Sequence, residues 1–459
     1  MKAVIGLKRM GILLLALIFV SCLAGCNTAL APDKYLEQLD TAISAIEKSD
    51  NLLQNLTLTQ SRTIGGETFT SVSRQTVSCQ DIHSAAPLIY REEDVSYGSY
   101  RTQIQRHYRT GDAYVTIGEK TFSGEANAAS YLQSMIPAVL FRPENYASVT
   151  AQSAEKGVVL TFRDASNLES WVTDQDTVLQ SASATATLDT SGNLLECSYQ
   201  AAYTHGDTHF TLDVTSQTAI PEQLDLSSQL PAIPADRVIL SDPEMPVHIL
   251  QAVGDLFTAR QITSQYTEII ESDAIRTSRH QQTQLQLSGT GNDLSADITY
   301  RISLSDYSGG STASVTAERY RGGSLTTATD GKEVTSNVHP EDMKTRCEDL
   351  LLLSMFAISY LEDADVQIQD GLCHISLTGN QQLGDRLCQS IYALLGADLD
   401  ALSSDYSGEP ATGYLTLDVH TGFPVAAGMA VKRTHAINGA FQTLTYQLDQ
   451  TYSIANEPS

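Results

Sequence analysis

The sequence predicts an α+β protein in which a curved antiparallel sheet, a half-barrel, packs over a few helices, and in which that unit occurs twice in tandem. Three observations predict it. Runs rich in Thr, Val, Ser and Tyr alternate with period two between glycine turns, the pattern of antiparallel hairpins. A few apolar stripes at helical spacing interrupt those runs. Short motifs of the first half return in the same order in the second. The chain has 459 residues, beyond the roughly 250 to 300 at which a single hydrophobic core stops growing, so two units are the natural division.

Residues 1–25 are basic, then apolar, then small. Lys2, Lys8 and Arg9 precede a greasy run from Met10 to Val20. That run is well short of the roughly 20 apolar residues that span a bilayer, so the segment reads as a cleaved export signal. It ends in Leu23-Ala24-Gly25-Cys26, which resembles the lipobox of bacterial lipoproteins. The resemblance implies that Cys26 is diacylated, with chains of the palmitate kind, and becomes the first residue of the mature protein. The body is then lipid-anchored on the extracytoplasmic face of the cell membrane. Residues 26–32 form its tether, with a reach of about 20 Å.

Asp33 to Leu53 carries Tyr35, Leu36, Leu39, Ala42, Ile43 and Ile46 at helical spacing behind Pro32, which predicts an amphipathic helix. Strands are predicted over Asn55–Thr63, Glu67–Gln80, Tyr97–Arg109 and Ala113–Ile117, with Gly65-Gly66 as a turn. A helix is expected from Glu125 to Phe141, ended or kinked by Pro137. Strands resume at Ser148–Gln152, Val158–Arg163, Ser183–Leu188, Leu194–Thr204 and Thr208–Val214, closing a first unit over 33–219. Residues 220–246 hold Pro221, Pro231, Pro234, Pro243 and Pro246 and read as a semi-stiff linker. The second unit spans 247–456. It opens with a helix over Val247–Thr258, continues through strands at Gln261–Ser288, Ser295–Ser305 and Ser314–Thr329, and holds a nearly all-apolar helix, Asp349–Leu361, to be buried in the curl of its sheet.

The two halves share short motifs. Tyr108-Arg109-Thr110-Gly111 matches Tyr320-Arg321-Gly322-Gly323, and Leu132-Gln133-Ser134-Met135 matches Leu352-Leu353-Ser354-Met355. Leu188-Asp189 with Gly192 matches Leu417-Asp418 with Gly422, and Thr204-His205 matches Thr434-His435. With the hairpin Leu417-Asp418-Val419-His420-Thr421-Gly422-Phe423-Pro424-Val425, this order of helix and sheet resembles the LolA/LppX-like lipoprotein carriers. That resemblance implies two half-barrels over helices, each of a kind that often holds a lipid or another apolar ligand. Met135, Leu352, Met355 and Phe356 are the candidate pocket lining, since apolar and flexible side chains suit variable apolar ligands.

The formal charge is −26, and −29 once residues 1–25 and their three basic groups are gone. Nucleic acid and anionic headgroups repel such a body, so neither is an expected partner through a basic patch. Past Cys22 and Cys26 remain Cys79, Cys197, Cys347, Cys373 and Cys388. Five is odd and no spacing is that of a zinc site. The thiols are either free and buried, or partly paired as Cys79 with Cys197 and two of the other three.

Several constellations resolve into turns. His205 and His209 flank a hairpin tip, which makes a solvent-facing histidine a better account than a metal pair. Ser153-Ala154-Glu155-Lys156 lies between strands, without the partner motifs of a serine-lysine enzyme. Glu92-Glu93-Asp94 reads as a solvated loop, Asp189 to Asn193 as a hairpin turn lacking the distal Glu of a calcium loop, and Ser308-Gly309-Gly310-Ser311 has no Lys of a phosphate-binding loop. The expectation is a non-catalytic protein without cofactor or metal, binding a lipid or apolar ligand. The alternative is an envelope interaction or sensor module that binds a protein partner.

Overall fold

The computed structural model describes residues 29–97, 100–128, 141–165, 177–271, 276–288, 293–305, 310–351, 353–387, 409–437 and 440–454. The period-two segments become long strands joined by tight turns. The chain opens with β1 (Ala29–Leu30) and α1 (Asp33–Glu47). It continues through β2 (Leu52–Ile64), β3 (Glu67–Gln80), β4 (Leu88–Tyr97), β5 (Tyr100–Arg109), β6 (Asp112–Ile117) and β7 (Lys120–Glu125). Next come β8 (Tyr146–Ala154), β9 (Gly157–Ala165), β10 (Thr177–Leu188), β11 (Leu194–His205) and β12 (Thr208–Ala219). The second half begins with β13 (Val238–Ile239), α2 (Met245–Thr258), β14 (Gln261–Glu271), β15 (Arg276–Ser288), β16 (Ser295–Ser305), β17 (Ser311–Arg321), β18 (Ser324–Thr329) and β19 (Lys332–Asn337). It ends with α3 (Pro340–Leu350), β20 (Leu361–Gln369), β21 (Leu372–Gly379), β22 (Ala411–Asp418), β23 (Pro424–Ile437) and β24 (Ala440–Ile454).

These strands form two open sheets. The first runs β1-β8-β9-β10-β11-β12-β2-β3-β4-β5-β6-β7-β13, the second β19-β18-β17-β16-β15-β14-β24-β23-β22-β21-β20. Reading from β8 to β7 in the first sheet and from β20 to β19 in the second gives the same strand order. The shared turn motifs sit at matching places: Gly111 follows β5 as Gly322 follows β17, and Asp189 comes directly after β10 while Asp418 is the last residue of β22. Asp189 Oδ1 accepts from the backbone N–H of Ser191 and Asn193, both at 2.8 Å. Asp418 Oδ1 accepts from His420 N–H at 3.1 Å and Thr421 N–H at 2.7 Å. Each carboxylate thereby folds its own hairpin loop.

The hollow of the first sheet is filled from two ends. At one end α1 lays Leu39, Ile43 and Ile46 against Val77, Cys79, Ile89, Leu160 and Phe162. At the other, α2 brings Ile249, Leu250 and Leu256 into a cluster with Phe69, Val95, Tyr97, Ile104 and Phe122 of the first sheet, together with Ile262, Leu285 and Tyr446 of the second. One apolar cluster therefore draws on both halves of the chain. Arg62 of β2 forms a buried ion pair with Asp255 of α2, Phe69 meets Phe423 at 5.7 Å between ring centroids, and Glu67 accepts from the backbone N–H of Arg260 and Gln261, each at 2.7 Å. The proline-bearing segment after β12 lies on the first sheet: Leu226 is buried, and Val238–Ile239 pair in parallel with β7.

Five local expectations need correction. The first helix stops at Glu47, and Leu52 and Leu53 already belong to β2; after the Lys48 cap, Ser49 Oγ donates to Asn51 O at 2.6 Å and turns the chain. Tyr97–Arg109 is not one strand, because Tyr97 ends β4 and pairs with Tyr100, the first residue of β5. Glu125 ends β7 rather than starting a helix, since Lys120–Glu125 pairs along β6; residues 129–140 of that expected helix lie outside the described residues. Met245 and Pro246, expected in the linker, open α2. The apolar helix Asp349–Leu361 is instead α3 followed by 3₁₀ turns at Leu353–Phe356 and Ile358–Tyr360. Pro340 starts α3 early, and the carbonyls of Leu350 and Leu351 accept from Gln450 Nε2 at 2.9 Å and Tyr452 OH at 2.8 Å. The sheet takes those acceptors and the helical ladder ends.

Candidate functional site

An apolar pocket lies in the hollow of the second sheet, where the turns after α3 cross β20–β23. Met355, Phe356 and Ile358 form one wall, Leu361 and Leu377 line the sheet side, and Leu383, Met429 and Ile249 close it. Met355 and Phe356, two of the four sequence-predicted lining residues, are both buried here. Met135 and Leu352 lie outside the described residues. Gly379 and Gly413 also line the pocket. A Cβ on Gly413 would collide with Met429 Sδ, and one on Gly379 with the Leu383 side chain. The two glycines therefore leave the room that the Met and Leu side chains occupy. As the side chains stand, the cavity is about 20 Å³, the space of about one water-sized sphere. An apolar guest of any length displaces Met355 and Met429, whose unbranched chains re-orient at low cost.

The hollows also carry buried charge. Glu93, expected in a solvated loop, is instead an inward-facing residue of β4 and 7% exposed. Arg106 of β5 bonds to it, as does Ser73 Oγ. The Arg106 Nε–H also reaches Glu244, before α2, at 2.9 Å. Burial works against the guanidinium charge, yet Glu244 and Glu93 outweigh it and hold Arg106 above its usual range. In the second sheet Glu318, 3% exposed, is engaged at both oxygens by Tyr300 OH and Arg346. A further buried carboxyl, Glu268 of β14, accepts from Tyr446 OH at 2.6 Å. Burial pushes Glu268 up, with the Tyr446 hydrogen bond, the charge of Arg279 and a hydrogen bond from Tyr266 opposing.

His205 is not simply in solvent. Its Nε2 lies 2.5 Å from Nδ1 of His420 in the other half, and its Nδ1 lies 2.7 Å from Thr177 Oγ1. His209 faces the opposite way on β12 and is exposed, so the two do not converge. Among the described residues no three His, Cys, Asp or Glu side chains are grouped to hold a metal ion. Cys79, Cys197, Cys347 and Cys373 are free thiols. Cys26 and Cys388 lie outside the described residues, and no helix among those described is long and apolar enough to cross a membrane.

Composition and spacing do not point to Met429, Leu383 or Gly413 as members of the site. A glycine within a strand of β-formers is the one available signal, marking close approach of another group.

No family model and no curated protein matches the chain. Among solved structures it is similar to LprF from Mycobacterium bovis, at 12% identity over 48% of this chain and 95% of that chain, with a TM-score of 0.28. It is also similar to the lipoprotein LppX from Mycobacterium tuberculosis, at 16% identity over 48% of this chain and 98% of that chain, with a TM-score of 0.25.

Proposed function

We propose that this chain is a lipid-anchored, extracytoplasmic lipoprotein, built from two copies of one half-barrel unit, that binds a lipid or other apolar ligand in the second hollow without catalysing a reaction. The observation that carries the reading is the largely apolar pocket beneath Met355, Phe356 and Met429, backed by two glycines and lined by re-orientable thioethers. The first hollow is a poorer candidate, because α1 and α2 already fill its two ends. Cys26 supplies the anchor.

The test is native mass spectrometry of residues 27–459 secreted from a bacterial host and purified without detergent, alongside Met355→Asp. A stoichiometric lipid mass in the parent, lost in the variant, supports the reading. A bare protein that also takes up no added apolar dye sinks it.

Partner binding is the second reading, and β19 favours it. All six of its residues are exposed, with no strand beyond it among the described residues. The matching edge β7 of the first sheet is covered by β13. An uncovered edge is a template for an added strand.

A further inference from the structure

Beside the apolar pocket, the second hollow holds an unmatched pair of polar groups. They lie on one cross-strand row of inward-facing residues. Met429 of β23, which lines the pocket, is opposite Leu448 of β24; Leu448 is opposite Glu268 of β14; Glu268 is opposite Arg279 of β15. With neighbouring strands 4.7–4.9 Å apart, Glu268 sits about 10 Å along the row from Met429.

Glu268 is 2% exposed. Its Oε1 is taken by Tyr446, but its Oε2 is buried and has no partner among the described residues. Arg279 lies over the Tyr266 ring at 5.9 Å and donates from Nη2 to Gln281 Oε1 at 2.7 Å. Its Nε is likewise buried without a partner among the described residues. Two groups of opposite charge thus occupy directly paired positions without bonding each other, and each leaves one atom unmade. Glu318, three strands away in the same sheet, is a buried carboxyl with both oxygens satisfied. Buried polar atoms are rarely left without a partner, because desolvation is then uncompensated.

A hydroxyl carries both the acceptor and the donor that these two atoms lack. Its oxygen accepts from the Arg279 Nε–H and its proton is donated to Glu268 Oε2. A carboxylate or phosphate would face the Glu268 carboxyl, and an ammonium would face the Arg279 guanidinium. We infer that Glu268 and Arg279 are the head-group site for a neutral, hydroxyl-bearing amphiphile, of the monoacylglycerol class, whose chain enters the pocket at Met429 and Met355. The inference rests on the apolar-ligand reading above and assigns its polar end. The raised Glu268 pKa agrees with a neutral guest, since a protonated carboxyl bonds a hydroxyl equally well. A trapped water offers the same chemistry, and the experiment separates the two sources.

Residues 27–459 are loaded with an apolar fluorescent dye, which is displaced in parallel by 1-monooleoylglycerol and by methyl oleate. The two share acyl chain and ester and differ in the hydroxyls. The expected result is displacement by monooleoylglycerol at a concentration about tenfold lower, the worth of one hydrogen bond to charged partners. Glu268→Leu should bring the two lipids to parity and leave methyl oleate within about twofold of its original value. Should that variant fail to fold, Arg279→Met is expected to give the same loss of preference. Equal displacement by both lipids in the unaltered chain overturns the inference and assigns the site to water, with the apolar pocket reading intact. Failure of the chain to bind the dye or either lipid overturns both.

Discussion

Replacing Arg106 by Met should be among the most damaging single changes to the first sheet. Arg106 and Glu93 are 6% and 7% exposed, and Arg106 also holds Glu244 of the second half at 2.9 Å. Methionine keeps much of the side-chain length and removes the charge, leaving Glu93 inside the hollow with hydrogen bonds from Ser73 and Gln75 but without its bonded guanidinium. Removing one member of a buried ion pair costs about 3–5 kcal/mol, because the other charge is left uncompensated. That is a large part of the roughly 5–15 kcal/mol by which a typical domain is stable. The paired change Glu93→Gln/Arg106→Met removes both charges and should recover all but about 2 kcal/mol, since glutamine still bonds to Ser73. The assay is urea unfolding followed by circular dichroism on the unaltered chain, both single variants and the double variant. An Arg106→Met loss below about 1 kcal/mol, or a double variant no better than the single, would refute the claim that the pair is held by mutual compensation in a dry hollow.

Other expectations concern single sites. Cys26→Ser should move the protein from the membrane fraction to the medium and abolish incorporation of labelled palmitate; retention in membranes would remove the anchor assignment. Burial pushes Asp255 up to about 6, against the opposing charge of Arg62. A carboxyl raised in the folded state binds its proton there more readily than in the unfolded chain. Its contribution to stability therefore grows as pH falls from above 6 toward 4, by about 1.4 kcal/mol per pKa unit. Asp255→Asn should flatten that part of the stability profile, as measured by chemical unfolding at stepped pH. Cys79 and Cys197 are buried, and burial raises both thiols to about 12; neither should react with a thiol reagent at pH 8 until the protein is unfolded. Phe423→Ala, which empties a buried ring position against Phe69, should cost about 3–5 kcal/mol. In thermal unfolding it should loosen the contact between the halves, and an unchanged melting profile would show that the halves do not depend on that ring.

What the sequence determined by itself is what depends on neighbours within a few residues. Period-two alternation marked most strand segments, glycine pairs such as Gly65-Gly66, both at positive φ, marked hairpin turns, and Leu39, Ile43 and Ile46 marked the buried stripe of α1. The apolar run around Met355 signalled burial but not conformation, because an all-round apolar segment has no period to read. Only the tertiary structure decided the rest. Glu92-Glu93-Asp94 looks solvated by composition, and only the register that sets Glu93 beside Arg106 and brings up Glu244, more than a hundred residues away, gives Glu93 a reason to be buried. The pairing of β2 with β12, the sharing of α2 between two sheets, and the row from Met429 to Arg279 likewise join segments far apart in the chain. Local propensity fixes which residues are extended. Which extended segments become neighbours depends on apolar burial summed over the whole fold, and no short window of sequence contains that sum.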